Sequence, residues 1–268
     1  MKRQVTNNFL NTHPVFSLDE ATEVFAPSGG KAGTVERLSY HLQAGRLKRV
    51  AREIYAVVPI GVAVDSFQPD PFLVAAAIKP GGVFSHHSAL ELLGAAHVLW
   101  NQHTLYVNAP RRPLQMNGIR VLFRGYPQSL RRANAHHLGT RSVEHRGRIL
   151  SCTSPERTLV EGFRRPDLAG GLEELVLSAS GFPVLDLGLL EEVLRVYDIC
   201  NLWAGVGWFL EKFQSTFHVP DDFLRTLERN RPKSPQYLPR DHRGGTLIPG
   251  WNLILPSEVI SMGETDVS

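Results

Sequence analysis

Arg37, Tyr40, His41 and Ala44 recur at i, i+3, i+4 and i+7, the spacing of a single helix face. A guanidinium, a phenol and an imidazole beside a small residue can reach base edges and phosphates in a DNA major groove. Arg37 placed there can pair bidentately with guanine. The charge continues past this face. From Lys31 to Arg52 six basic residues (Lys31, Arg37, Arg46, Lys48, Arg49, Arg52) stand against one acid, Glu36. Cations on a hairpin beside a helix displace phosphate counterions and fix the register of a protein on its duplex. Lys31, Thr34, Arg37, Tyr40, His41, Arg46, Lys48, Arg49 and Arg52 are therefore the candidate DNA-contacting residues. The same pattern also describes a solvated basic surface, and periodicity and charge leave both readings open.

A second basic stretch runs from Arg111 to Arg148, with nine arginines against one acid, Glu144. Arg111, Arg112, Arg131 and Arg132 are the candidates for a second basic surface there, facing nucleic acid or an acidic patch on a partner. Scatter over exposed strands and loops is the competing reading. From Cys152 to Asn230 the balance reverses to thirteen acids and seven bases, which suits either a basic partner or ordinary solvated helix faces.

Catalytic and metal chemistry finds little support. Glu156 and Arg157 are explained more simply by helix capping and an ion pair. The doublets His86-His87 and His136-His137 lack the i, i+3 or i, i+4 spacing of zinc ligands. GGKAG, from Gly29, lacks both the Walker spacing and the hydroxyl residue after its lysine. Neither Cys152 nor Cys200 sits in a nucleophile signature, and no G-x-S-x-G or E-x-K occurs. A non-catalytic protein without metal or cofactor is expected. Two cysteines are too few for a disulfide framework, so two free thiols are expected.

The elements that must position these residues follow from local signals. Ser17 and Glu20 have the spacing of a capping box and open a short helix ending at PSGGKAG. Thr34 serves as N-cap of the next helix, with Val35, Leu38 and Leu42 facing the core, and Gly45 stops it. LKRVAREIYAVV reads as a β-hairpin turning near Ala51 to Glu53. Helix, turn, helix and hairpin together make a winged helix-turn-helix. A linker is expected between Pro59 and Pro71. Beyond it come a helix in DPFLVAAAIKP, another in FSHHSALELLGA with Ser85 as N-cap, and strands in TLYVNAP, IRVLFRG and RILSCT. SPERTLVEGFRR begins a helix with Ser154 as cap and Pro155 in its first turn. Further helices follow Gly170 and Gly171, and LIPGWNLILP closes as a strand. Trp203, Trp208, Phe209 and Phe213 read as core or subunit-interface aromatics. The expected fold is α+β: an N-terminal winged helix over residues 1–60, a larger mixed domain over 70–256 and a flexible tail over 257–268. MKRQVTNNFL has no apolar stretch behind its basic residues, and no apolar run approaches the ~20 residues of a membrane span, so a cytoplasmic protein is expected.

The succession YHLQAGRLKRVAREIYAV, FSHHSALELLGA and SPERTLVEGFRRPDLAGGLEEL resembles the AbiEi-type antitoxins and their transcriptional-regulator relatives, from about Ser17 to about Ser180. SPERTLVEGFRRPDLAGG is the most specific part. The resemblance implies a winged helix that binds inverted repeats in its own promoter. It also implies a C-terminal antitoxin domain that counters a nucleotidyltransferase-like toxin. Repressors of this sort commonly meet palindromic sites as two copies, so self-association on DNA is expected. The recognition helix maps to Thr34–Ala44 and the basic wing to Arg46–Tyr55. The family often has Arg-Gly at the wing turn where this chain has Arg52-Glu53. Two other readings stay open: a nuclease targeted by a winged helix, and a winged-helix regulator whose C-terminal domain holds a ligand.

Overall fold

The computed structural model describes residues 2–25, 30–116, 118–239 and 244–262. The chain is a mixed α+β protein that divides into two compact units. The first comprises Met1–Gly82 together with Pro113–Val121 and Glu144–Leu150, and the second comprises the rest.

The first unit opens with α1 (Lys2–Thr12), β1 (Val15–Ser17), α2 (Leu18–Phe25), α3 (Gly30–Gln43), β2 (Leu47–Ala51) and β3 (Ile54–Val57). These strands form an antiparallel sheet in the order β1-β3-β2, with Val15 opposite Ala56 and Lys48 opposite Ala56 on the other side. Helix, strand, two helices and a hairpin, with the first strand closing the sheet, match the winged-helix arrangement. Its core gathers Phe9, Leu10, Phe16, Leu18, Phe25, Leu38, Leu47 and Tyr55. The capping box forms reciprocally: Glu20 N–H donates to Ser17 Oγ at 3.1 Å, and Ser17 N–H donates to Glu20 Oε2 at 2.8 Å. At the end of α3, Arg46 N–H donates to the His41 carbonyl and Gly45 N–H to the Leu42 carbonyl, a Schellman closure. Gly45 reaches the φ of +67° that this closure requires.

Three sequence expectations are corrected here. Helix α3 starts at Gly30, four residues before the expected cap, and Thr34 lies inside it with its hydroxyl donating to the Gly30 carbonyl. That bond satisfies the hydroxyl locally and lets Thr34 be buried. Residues 26–29 of the expected turn lie outside the described residues. The boundary expected between residues 60 and 70 gives way to a first unit that reaches Gly82 and includes α4 (Pro71–Ile78). Asp70 explains part of this: it caps α4 by accepting from Leu73 N–H, and it lies 2.9 Å from His145 Nε2 and 3.0 Å from Arg146 Nε. Ser85, expected to cap a helix, ends a strand instead.

In the second unit that strand is β4 (Val83–Ser85), followed by α5 (His87–Leu92) and β5 (Gln102–Tyr106). Strands β4 and β5 with β6 (Leu114–Met116), β7 (Ile119–Arg124), β8 (Thr140–His145) and β9 (Arg148–Thr153) form a six-stranded sheet in the order β6-β7-β5-β4-β9-β8, of which β6 and parts of β7, β8 and β9 fall within segments of the first unit. Strand β4 pairs antiparallel with β5 and parallel with β9. Between β7 and β8 lies the short α6 (Gln128–Arg132). Then come α7 (Pro155–Arg164), α8 (Leu172–Ser180), α9 (Leu187–Tyr197), α10 (Cys200–Lys212), α11 (Gln214–Phe217) and α12 (Asp221–Arg229). A small sheet of β10 (Gln236–Tyr237), β11 (Thr246–Ile248) and β12 (Leu253–Leu255) follows. Trp203, Trp208 and Phe209 are buried in the helical core, and Phe213 packs against it. The expected tail starts late: Ser257–Ser261 form α13 with Val259 buried in that core, and residues 263–268 lie outside the described residues. Among the described residues no helix is long and apolar enough to cross a membrane.

Candidate nucleic-acid interface

Helix α3 turns Thr34, Leu38 and His41 inward, at i, i+4 and i+7. The wheel is thus rotated by about one position from the sequence expectation. Val35, expected in the core, is 41% exposed, whereas His41, expected at the groove, is 6% exposed. Leu42 packs against the core from its edge. Burial, with help from Arg46 and Arg37, holds the His41 imidazole below its ordinary pKa, and its Nδ1 has no hydrogen-bond partner among the described residues. His41 and Thr34 are therefore packing residues rather than base readers.

The outward stripe of α3 is Ala32, Val35, Glu36, Tyr40 and Gln43, with Ser39 half-buried within it. Tyr40 is 67% exposed. Val35 offers a methyl surface that suits thymine, and Gln43 an amide that suits adenine. Sequence reasoning missed Gln43; the signal was available as the next step of the Ala32, Val35/Glu36, Ser39/Tyr40 progression. Arg37 stands on the shoulder of the helix, half-buried, with its guanidinium 4.8 Å over the Phe25 ring.

The wing turns at Arg52-Glu53, and Glu53 adopts φ +60° where a glycine would be unstrained. Its carboxylate lies 3.4 Å from Lys31 Nζ, which also pairs with Asp19 at 3.3 Å. Lys31 is thus committed to acids rather than presented to a ligand. Lys48 is half-buried, and its ammonium donates to the Phe67 carbonyl at 2.7 Å. Arg46, Arg49 and Arg52 are exposed and carry no ion pair among the described residues. Arg46 donates to Asn7 Oδ1, and Arg49 Nε to the Ala51 carbonyl. Three cations beside an exposed polar and apolar stripe can grip phosphates while the stripe meets base edges.

The structure resembles the crystal structure of the RV2827C protein from Mycobacterium tuberculosis, with a TM-score of 0.58 over 94% of this chain and 89% of that one, at 17% identity. The likeness is one of fold. No protein-family model matches the chain, and no curated protein matches it.

The second basic stretch is divided between the units: Arg120, Arg146 and Arg148 belong to the first, and the other six arginines to the second. Arg148 pairs with Glu20 and Arg146 with Asp70. Arg111, Arg112, Arg131 and Arg132 are all exposed without an ion pair among the described residues, and Arg111 lies over the Phe123 ring. Arg131 and Arg132 end α6, where cations favour the helix dipole.

The SPERTLVEGF motif builds an interior. Ser154 caps α7 as expected, and Glu156 Oε1 accepts from Asp186 N–H at 2.8 Å. Arg157 is fully buried. Its Nη1 donates to the carbonyls of His136 and Leu138, and its Nε to Glu161 Oε1 at 2.8 Å. Tyr197 donates to the same Glu161 oxygen. Gly139, at φ +57°, lies where a Cβ would come within 2.9 Å of Arg157 Cβ, so glycine is what lets this loop close over the arginine. Burial would raise the Glu161 carboxyl, but Arg157, His86 and Tyr197 outweigh it and hold it below its ordinary range. His86, at φ 56°, is enclosed, and burial together with the field of nearby arginines pushes its imidazole down to about 4. The arrangement is that of a buried structural ion pair, in which Arg157 Nη2 and Glu161 Oε2 have no hydrogen-bond partner among the described residues. Cys152 is likewise buried, with its thiol pushed up to about 11, while Cys200 is exposed.

Proposed function

We propose that this chain is a winged-helix DNA-binding protein that represses its own operon and acts as the antitoxin of a neighbouring nucleotidyltransferase-like toxin in the cytoplasm, without catalysis. The observation that carries the DNA half is the exposed stripe of α3 lying in one small domain with the unpaired wing arginines Arg49 and Arg52. Tyr40, Gln43 and Val35 read bases, while Arg46, Arg49 and Arg52 hold the backbone of inverted-repeat operators. Two copies meet on such a palindrome. The antitoxin half rests on the resemblance carried by YHLQAGRLKRVAREIYAV, FSHHSALELLGA and SPERTLVEGFRR.

Gel-retardation with the upstream intergenic fragment tests the DNA half. A shifted band is expected at low ionic strength, and Tyr40→Ala with Gln43→Ala should weaken specific binding by about 1–3 kcal/mol while leaving binding to a scrambled duplex almost unchanged. No shift with the wild-type protein would sink the reading. Co-expression with the adjacent toxin tests the other half: growth should be rescued both by the wild type and by an Arg49→Ala, Arg52→Ala variant. Loss of rescue in that variant would mean that the wing serves both tasks.

A further inference from the structure

A cleft of about 670 Å³ opens in the second unit between the end of α7 and the start of α10. Its walls include Phe163, Pro166, Leu172, Ile199, Leu202 and Leu238. Its polar groups are few: Arg164, Arg165, Asp167 and Asn201. A concave site of that volume, lined by both apolar and polar groups, falls in the size range of small-molecule pockets, roughly 300–1,000 Å³.

The polar groups are unevenly engaged. Arg165 holds Asp167 through two hydrogen bonds, Nε to Oδ1 at 2.7 Å and Nη2 to Oδ2 at 2.6 Å, which neutralises the acid. Arg164 is exposed, has no ion pair among the described residues, and lies over the Tyr197 ring. The cleft therefore carries one uncompensated positive charge. Asn201 is only 8% exposed, yet its side chain makes no hydrogen bond among the described residues. Asn201 lines the cleft, and its amide atoms are not sealed away from solvent there.

Asn201 is also the second residue of α10, a helix of 13 residues with no side-chain cap and no acid in its first turn. Its amino end keeps unsatisfied N–H groups and the positive end of the dipole. Helix α8 also starts on the cleft, but Glu173 and Glu174 stand in its first turn, so it offers an anion less.

We propose that this cleft binds a small phosphorylated organic molecule, of the size of a nucleoside monophosphate. Its phosphate lies against Arg164, the Asn201 amide and the amino end of α10, and its flat or apolar body lies on Leu172, Leu202 and Leu238. The site is independent of the DNA reading, because it uses none of the residues of the first unit.

Calorimetric titration of the full chain with nucleoside monophosphates, the parent nucleosides and inorganic phosphate tests it. At least one monophosphate should bind with a Kd of about 1 mM or tighter, and its nucleoside and phosphate alone should bind at least ~10-fold more weakly. Arg164→Gln should weaken the monophosphate at least ~10-fold, and Asn201→Asp should do the same by placing a carboxylate against the anion. Arg195→Gln, on the exposed side of α9, should leave binding unchanged. Absence of binding by every monophosphate overturns the proposal, as does wild-type affinity in Arg164→Gln. That variant alters an exposed residue, so it keeps the proposal open to refutation if Asn201→Asp fails to fold.

Discussion

On the wing, Arg49 and Arg52 stand in solvent without an acidic partner among the described residues, whereas Arg157 at the start of α7 is enclosed, with one carboxylate and two carbonyls accepting from its Nε and Nη1 and its Nη2 left unpaired. The two sites spend the same guanidinium chemistry in opposite ways. An exposed, unpaired arginine adds little to folding and keeps its charge for a ligand. An arginine taken out of water must be matched where it sits, and its removal leaves the matching groups stranded. The ERTLVEGF motif thus builds the interior, and the less distinctive stretch from Val35 to Arg52 carries the proposed DNA reading.

The largest effect expected from this contrast is on stability. Arg157→Ala should lower the unfolding free energy by about 3–5 kcal/mol, because Glu161 stays buried without its counter-charge. Arg52→Ala should change it by less than about 0.5 kcal/mol. Urea denaturation of both variants checks the pair, and equal losses would dissolve the distinction.

Acid should act on the interior next. His86 has a folded pKa of about 4, below its unfolded value near 6.5, so the unfolded chain binds the extra proton first. Stability is then complete above about pH 6.5 and falls as pH drops toward 4, by roughly 3 kcal/mol for this group. Glu161, whose folded pKa is depressed, adds a further loss below its unfolded value as pH falls through the folded one. Unfolding midpoints measured from pH 8 to pH 4 should show the decline, and His86→Gln should flatten its upper part. A His86→Gln curve parallel to the wild type would remove His86 as its source.

The smallest effect sharpens the wing. If Arg46, Arg49 and Arg52 each contact a phosphate, as proposed, the slope of log K against log salt should be about −3 for each bound copy, and Arg49→Ala should reduce its magnitude by about 1. An unchanged slope would place Arg49 outside the interface.

The winged helix was legible because its punctuation is local. Ser17 and Glu20 are three residues apart, and the Gly45 closure and the Arg52-Glu53 turn each involve a few neighbouring residues. The facing of α3 was harder to read. Thr34 is buried because its hydroxyl finds the Gly30 carbonyl, and that bond required a helix start hidden among glycines. Which cations stay free was not legible either. Lys31 is occupied by Asp19 and Glu53, and Lys48 by the Phe67 carbonyl, partners 12 to 22 residues away whose placement depends on the completed fold. In the second unit Ser154 announced α7, while the Glu161 partnership with Tyr197 joins residues 36 apart and left no local trace.

The first unit takes in Glu144–Leu150, where Arg148 meets Glu20 and His145 and Arg146 meet Asp70. The first unit is therefore complete only once the chain has been made past residue 150. A nascent chain stopped at residue 82 lacks every one of those three side chains. A fragment ending at residue 82 keeps the core of Phe9, Leu38 and Tyr55 but loses the ion pairs of Glu20 and Asp70 with that later segment.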